Sequence, residues 1–390
     1  MGAHLWAVGM TGVGMAVGAV WLVYAFRAVR AGRSFPALSA GSHPGEPRDA
    51  PFISIVVAAK DEEHAIEANV RSMLSQDYPH FELVVVDDRS TDQTPAILAR
   101  LAAEHPGKVR VLTIDRLPEG WGGQNHALQR GVLASSGEWL CFTDADCELH
   151  PHTLSVAWQD RSAHDAELFS IMPRLKAPTL WEKMHVPLSG YLLLMGFGIL
   201  NVNDPTRPDG YANGAFMLIR RAVYDRLGGH AAVRGFVNDD IRLAERAKRR
   251  GVRLRVVGNL DLCATRMYET TREAWDGWCR NFYGGLLEPR KLRRSLGAAL
   301  VLFASPWPGF VAALASGAPL VALAWALPLV ISHLAVAQLY RSFVLPARWS
   351  LLYFPGALFI SGVLLRATVR AQRRAGITWH GVHYSHSGDG

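Results

Sequence analysis

Two pairs of acids in this chain have the type and spacing to do chemistry. Asp144 and Asp146 are separated by a single alanine. Two hard oxygen ligands at that spacing suit Mg2+ or Mn2+, ions that keep several positions for water and phosphate oxygens. A divalent metal held there would neutralise charge on a departing phosphate group. A D-x-D triplet also occurs as a solvated acidic turn, so its place in the fold carries more weight than its spelling. The second pair, Asp239 and Asp240, follows Asn238 and opens the helical pattern IRLAERAKRRG. One of these three residues serves as an N-cap, and a second carboxylate beside it is a candidate general base. Asp61, Glu62 and Asp88 offer further acceptors, to a nucleobase or a ribose. Glu62 and Glu63 also read as the acidic first turn of a helix, and Ser90 or Thr91 as a helix start.

The elements around these acids read as an alternation. FISIVVAA is a continuous apolar run with β-branched residues, which suits a buried strand. A helix over 61–75 follows, with Ile66, Val70, Met73 and Leu74 on one face. ELVVVDD is a second strand, 92–104 a helix, KVRVLTI a third strand, 124–134 a helix, and EWLCFTDAD a fourth strand ending in acid. Strands alternating with helices predict an α/β fold with a parallel sheet covered on both faces. Ligands of such sheets gather beyond the carboxyl ends of the strands, where Asp87, Asp88, Asp144 and Asp146 fall. LFSIMPR, GAFMLIRR and RLRVVG read as later strands, with a helix at 239–250. The apolar stretch 187–200 is too short for an ordinary membrane span and reads either as an interfacial segment against a lipid or as a buried core helix.

Only 19% of the 390 residues are charged, and the apolar excess lies at the ends. Residues 5–26 carry no charge and are long enough to cross a bilayer. They read as a retained anchor, because MGAH lacks the basic start of a signal peptide. Arg27, Arg30 and Arg33 follow, which places the next domain in the cytoplasm by the positive-inside bias. From 297 to 365 the only charged residues are Arg341 and Arg348. That region has room for two spans joined by a turn at 315–319, and for a third stretch at 349–365. Three crossings would carry Arg366, Arg370, Arg373 and Arg374 outside, so the last stretch is expected to be re-entrant or interfacial at Pro355-Gly356. The expected organisation is therefore an anchor over 1–33, a linker over 34–51, a soluble domain over 52–294, a membrane or re-entrant region over 295–366 and a basic tail over 367–390. The four cysteines form no CxxC pair and fit a reducing face. Residues 241–294 hold 14 Lys or Arg against 6 Asp or Glu, which points to an anionic membrane surface. No nucleic-acid motif accompanies that charge, and no nucleic acid is expected as a partner.

The series AAKDEEHAI, VVVDDRSTDQT, GWGGQNHAL, FTDADCELHP, GYANGAFMLIRR and GFVNDDIRLAERAKRRG resembles the family 2 glycosyltransferases of the GT-A fold, across roughly 52–294. VNDP at 202–205 and the ending ITWHGVHY are similar to the membrane-bound members that glycosylate carotenoids or accompany hopanoid synthesis. The resemblance implies a Rossmann-like, mostly parallel GT-A domain on the cytoplasmic face of the membrane, with transmembrane helices at both ends. It implies an inverting transfer of one hexose, from UDP-glucose as first choice, to a membrane lipid such as a carotenoid. Asp61, Glu62 and Asp88 would then contact the nucleotide, and Asp144 and Asp146 would bracket the metal and the donor diphosphate. Asn213, Gly214 and Ala215 would shape the sugar or acceptor pocket. Asp240 would be the base, with Asp239 orienting it or the acceptor.

Three departures stand out. Gln124 occupies a place where relatives often carry lysine. The QxxRW signature of processive synthases is absent, which argues for a single addition. Val382 replaces a basic residue common in similar tails, which weakens a role for the tail at the donor. Trp275, Trp278, Arg280 and Asn281 read equally as an acceptor channel or as an interfacial anchor. Two rivals use the same residues: a metal-dependent nucleotidyl- or phosphotransferase acting on a lipid, and a catalytically silent membrane scaffold.

Overall fold

The computed structural model describes residues 2–45, 47, 49–286, 288–373, 375–379 and 381–384. Arg374, His380 and the tail residues 385–390 lie outside the described residues. The chain opens with α1 (Gly2–Ser34), followed by β1 (Ala37–Leu38), β2 (Ile53–Ala59), α2 (Ile66–Leu74), β3 (Phe81–Asp88) and α3 (Thr94–Glu104). Next come β4 (Val109–Ile114), α4 (Gly123–Ala134), β5 (Trp139–Phe142), β6 (Cys147–Leu149), α5 (Thr153–Ala163), β7 (Leu168–Ile171) and β8 (Arg174–Leu175). α6 (Leu180–Gly196) precedes β9 (Met217–Arg220), α7 (Arg221–Leu227), α8 (Asp239–Arg249), β10 (Leu254–Asn259) and β11 (Cys263–Thr265). The remainder is α9 (Thr271–Leu286), α10 (Pro289–Ala298), α11 (Pro306–Ala315), α12 (Pro319–Ser342), α13 (Tyr353–Gln372) and a hairpin of β12 (Ile377–Trp379) and β13 (Val382–Tyr384).

The chain divides into two compact units. One is built on an eight-stranded sheet of order β1-β10-β7-β9-β5-β2-β3-β4. β2 and β3, inside the β4 edge, are apolar almost throughout, because helices cover both faces. The sheet is mostly parallel, as expected, with one reversal: β9 runs antiparallel to both β5 and β7. Leu38, in the Ser/Pro/Gly-rich stretch read as a linker, is buried, and β1 pairs with β10 as an edge strand. A second, small sheet sets β6 against β11. All four cysteines are buried free thiols.

The other unit is helical and comprises 1–35, 177–196 and 268–373. Three of its helical stretches are long and apolar enough to cross a membrane: His4–Phe26, Pro319–Ser342 and Ala347–Gln372. Gly14 lets α1 approach α12 closely, since a Cβ there would lie 3.0 Å from the Ala324 carbonyl oxygen. Trp325 Nε1 donates back to the Met10 carbonyl at 3.0 Å, and Trp21 Nε1 to that of Leu302 at 2.8 Å. The break expected at Pro355-Gly356 is absent. Pro355 sits in the first turn of α13, where its missing N–H has no helical partner to lose. The chain bends instead at Ser305-Pro306, by 44° between Pro289–Ala304 and Pro306–Ala315.

Helix α4 carries the GWGGQN segment toward the acidic strand ends, and Gly131 seats it on the sheet. A Cβ at 131 would lie 2.4 Å from Val56 Cγ1 and 3.1 Å from Val86 Cγ2. Gly131→Ala is therefore expected to destabilise the sheet unit by about 1–3 kcal/mol through overpacking. Thermal unfolding in detergent checks this, and an unchanged or raised midpoint contradicts it.

Candidate active site

Beyond Phe142 the fourth expected strand leaves the sheet, and its acids separate by alternation. Ala145 turns into the core while Asp144 and Asp146 stay partly exposed. Three neighbours fix this turn. Thr143 Oγ1 donates to the Ala215 carbonyl at 2.8 Å, and Asn69 Nδ2 to the Ala145 carbonyl at 2.7 Å. Because β11 pairs Thr265 with Cys147, the Thr265 hydroxyl reaches Asp146 Oδ2 at 2.8 Å.

Asp240 arrives from another direction, in the first turn of α8. Its carboxylate accepts the Gly214 N–H at 2.7 Å and the Ile241 N–H at 2.7 Å. A side chain at Gly214 would intrude between two acids, because its Cβ would stand 3.2 Å from Asp144 Oδ1 and 3.5 Å from Asp240 Oδ2. Asn213 spends its amide inside the turn: Oδ1 accepts the Ala215 N–H at 3.0 Å and Nδ2 donates to the Tyr211 hydroxyl at 3.0 Å. Asn238 occupies the N-cap position without a side-chain cap, and of the two following aspartates it is Asp240 that accepts a first-turn N–H, that of Ile241. Asp239 is buried and lies 3.3 Å from His230 Nε2, while His230 Nδ1 lies 2.8 Å from the Tyr224 hydroxyl. The two adjacent acids are thus divided: Asp239 toward the buried histidine, Asp240 toward Gly214.

The acids repel one another. Burial, then the charges of Asp146, Asp240, Asp239 and Glu62, hold the Asp144 carboxyl well above the usual carboxylate range. Burial and then Asp239 push Asp240 up to about 7, against the opposing N–H donors of Ile241 and Gly214. Glu62 is likewise raised to about 7, by burial first and Asp146 second. Asp146 is raised by burial and held back by the Thr265 hydroxyl.

The loops after β2 and β3 form the adjoining wall. Asp61, with a left-handed φ of 54°, accepts the Thr91 N–H at 2.7 Å, which lowers its pKa. The Ser90 hydroxyl accepts the Asp61 N–H at 3.0 Å, and Glu62 donates its N–H to Thr94 Oγ1 at 2.8 Å. Asp88 is buried and held bidentately by Arg89, at 2.8 Å for both bonds. Gly123 opens α4 against this pair, where a Cβ would lie 2.4 Å from Asp88 Oδ2.

Three residues take part at this site beyond those given a role from the sequence. Gln124 Nε2 lies 3.4 Å from Asp144 Oδ1, so the residue standing in for lysine touches the key acid as a neutral donor. Tyr384 of the terminal hairpin reaches the GWGG loop, its hydroxyl 2.8 Å from where a Gly122 Cβ would sit. The sequence signal in the tail was read at Val382, two residues too early. His230 carried no signal beyond being a lone histidine. Trp275, Trp278, Arg280 and Asn281 belong to α9 in the helical unit; Trp278 is 1% exposed, which excludes it as an interfacial anchor.

Carboxylates crowded in this way suit a divalent cation. Among the described residues no group of three or more His, Cys, Asp and Glu makes a ready-made metal cage. Asp144 and Asp146 would supply one or two carboxylates of the kind Mg2+ or Mn2+ takes when substrate phosphates complete its shell. The repulsion also has a stability signature. A carboxyl whose pKa is raised by folding favours the folded state at low pH, and that contribution is lost as pH rises through the raised value. Without added divalent ions, wild-type unfolding temperature should fall between pH 5 and pH 8. Asp144→Asn should flatten the fall and raise the midpoint at pH 8 by about 2–4 °C. A lowered midpoint at pH 8 for Asp144→Asn contradicts the repulsion.

The family model for glycosyl transferase family 2 matches residues 54–228. A β-monoglucosyldiacylglycerol synthase of Nostoc sp. is 40% identical over 101 residues, which are 25% of this chain and 21% of that enzyme. The chain spans 21% to 28% of the length of this and two further cyanobacterial synthases of the same name. A 4,4'-diaponeurosporenoate glycosyltransferase of Staphylococcus haemolyticus is 24% identical over 60% of this chain and 61% of its own length. Among solved structures, a mannosyltransferase from Pyrobaculum calidifontis in complex with GDP-mannose and Mn2+ superimposes with a TM-score of 0.54 at 21% identity. It covers 93% of this chain and 99% of its own, a likeness of fold. The motif series, the mostly parallel GT-A sheet and the matched model agree that this chain carries a glycosyltransferase family 2 domain.

Proposed function

We propose that the chain is an inverting, non-processive glycosyltransferase that moves one hexose from a nucleotide-sugar, UDP-glucose as first choice, to a hydroxyl of a membrane lipid. A carotenoid or other isoprenoid is the favoured acceptor. The observation that carries the reading is Asp240: a carboxylate pushed up to about 7, oriented by two backbone N–H groups, beside Asp144 at the strand ends. A base with a pKa near the operating pH removes a proton most effectively. In the proposed step Asp240 takes the proton of the acceptor hydroxyl as its oxygen bonds to the anomeric carbon. The bond from that carbon to the diphosphate oxygen breaks on the opposite face, and the nucleoside diphosphate leaves. A divalent cation, Mg2+ or Mn2+, held by Asp144 and Asp146, would supply charge neutralisation for the leaving diphosphate.

The remaining residues bind and orient. Asp61, Glu62 and Asp88 face the nucleotide in this reading, with Arg89 locking Asp88 in place. Gly214 carries the N–H that aims the base, and Asn213 braces the turn that presents it. Asp239, paired with His230, orients α8. Gln124 contributes a neutral donor, so this site places less positive charge near the donor than a lysine would.

The membrane reading draws support from the helical unit. Gly14 of α1 faces Ala324 and Gly18 faces Leu327 and Pro328, so α1 and α12 run parallel. A chain that crosses at α1, back through the bent α10–α11 segment and again at α12, with α13 ending on the side where it begins, returns its tail to the side of the sheet unit. The hairpin β12–β13 belongs to that sheet unit and reaches Gly122, which favours this even number of later crossings. The positive-inside bias of Arg30 then makes that side cytoplasmic. On α10, Arg290, Lys291, Arg293 and Arg294 are exposed around buried Leu292, which suits an anionic lipid surface.

Purified full-length chain, given UDP-[14C]glucose, Mg2+ or Mn2+ and a membrane lipid extract, should label a lipid that gains one hexose by mass. Asp240→Asn should lower transfer by about 10²–10⁴-fold. For the wild type, kcat/KM should fall as pH drops below about 7, because the base must be unprotonated. Full transfer by Asp240→Asn, or a product that gains phosphate or nucleotide, contradicts the proposal.

A further inference from the structure

The helical unit pairs its buried polar groups with care. Pro187 inside α6 has no N–H for the Lys183 carbonyl, and the Tyr340 hydroxyl donates to that carbonyl instead, at 2.6 Å. The Tyr353 and Ser332 hydroxyls meet at 2.9 Å, and two tryptophan N–H groups find the distant carbonyls of Leu302 and Met10. Against this background one place is left unpaired. His185 and Ser189, one turn apart on α6, are 2% and 0% exposed. Both imidazole nitrogens and the serine hydroxyl lack a hydrogen-bond partner, as does Nε1 of Trp278 on α9. Apart from Trp307 Nε1 on α11, these are the unpaired buried side-chain atoms of the unit among the described residues.

An aromatic wall at Phe359 joins the helix of His185 and Ser189 to that of Trp278. His185 lies between Trp181, stacked with ring centroids 4.8 Å apart, and Phe359 of α13 at 4.6 Å. Trp275, one turn before Trp278, packs edge-on to the same Phe359 at 5.4 Å. Rings hold the imidazole above and below and leave its edge, where both nitrogens sit, without protein partners. Each buried polar group left unmade costs about 1–3 kcal/mol, so a cluster of them marks a place where something else supplies the bonds. A neutral imidazole offers one donor and one acceptor, serine offers both, and indole offers a donor. That set matches a hydroxyl group carried on an apolar molecule.

We propose that His185, Ser189 and Trp278 form a lipid-binding site in the helical unit that recognises the hydroxyl-bearing end of a membrane lipid while Trp181 and Phe359 contact its apolar part. This deepens the lipid-acceptor reading above and rests on it for the identity of the ligand as acceptor. Lipid retention is nevertheless measured without donor sugar, so the two can fail separately. A chain that retains the lipid but transfers no hexose removes the transferase reading and leaves the site standing.

The probes are 1,2-dioleoylglycerol and its 3-O-methyl ether, which differ only in the free hydroxyl. Each is titrated against full-length protein in detergent and read by native mass spectrometry. The wild type should retain the alcohol roughly tenfold more tightly than the ether, a difference of about 1.4 kcal/mol. His185→Phe keeps the ring stack, removes both nitrogens and should abolish the preference. Ser189→Ala, a smaller change that tests the site if His185→Phe does not fold, should reduce it severalfold. Equal retention of alcohol and ether by the wild type overturns the proposal. So does a full preference in Ser189→Ala together with either a full preference or misfolding in His185→Phe.

Discussion

Mutual repulsion among carboxylates at the strand ends is the constraint on which the rest of the structure depends. Glu62, Asp144, Asp146, Asp239 and Asp240 come from three separate parts of the chain; beyond burial, the charges of the others raise Asp144, that of Asp239 raises Asp240, and that of Asp146 raises Glu62. Much of the surrounding architecture answers that repulsion. Thr265 on β11 reaches Asp146, Gly214 turns its N–H to Asp240, and His230 stands beside Asp239. The first turn of α8 adds the favourable end of a helix dipole for two of the acids. In the proposed mechanism this local loss of stability is what readies the site for a cation and a proton.

The helical unit obeys a different rule, in which every buried polar group needs a partner because water is scarce. Tyr340 covering the carbonyl freed by Pro187 shows how directly a sequence irregularity is answered by a distant side chain. The stretch Ala347–Gln372, which contains α13, is the most buried of the three long apolar helical stretches of this unit. That burial explains how α13 stays helical across the residues expected to break it, while the bend falls where Pro306 follows Ser305.

β2 and β3 were plain in the sequence because they are buried on both faces and read as unbroken apolar runs. Asp144 and Asp146 were legible for the same reason: a strand end fixes where its next residues go. The direction of β9 was not legible, since MLIR looks alike run either way, and its reversal is set by pairing with β5 and β7. β1 was hidden because two residues in a Ser/Pro/Gly stretch carry no period. Asn213 was expected to shape the sugar or acceptor pocket; the engagement of its amide by Ala215 and Tyr211 carried no signal in the sequence. Gln124 was marked only as a departure from lysine; its contact, and those of His230 and Tyr384, were not legible because they join residues 20, 9 and 262 positions apart.

The central claim is that the crowded acids at 144 and 146 exist to share a divalent cation with a nucleoside diphosphate. Electron paramagnetic resonance of Mn2+ tests it most directly, with the full-length chain titrated in the presence and absence of UDP. The account predicts that the sharp signal of free Mn2+ is lost when UDP and wild-type chain are both present, and persists with Asp146→Asn under the same conditions. Equal capture of Mn2+ by the variant, or no capture by the wild type with UDP, would contradict it.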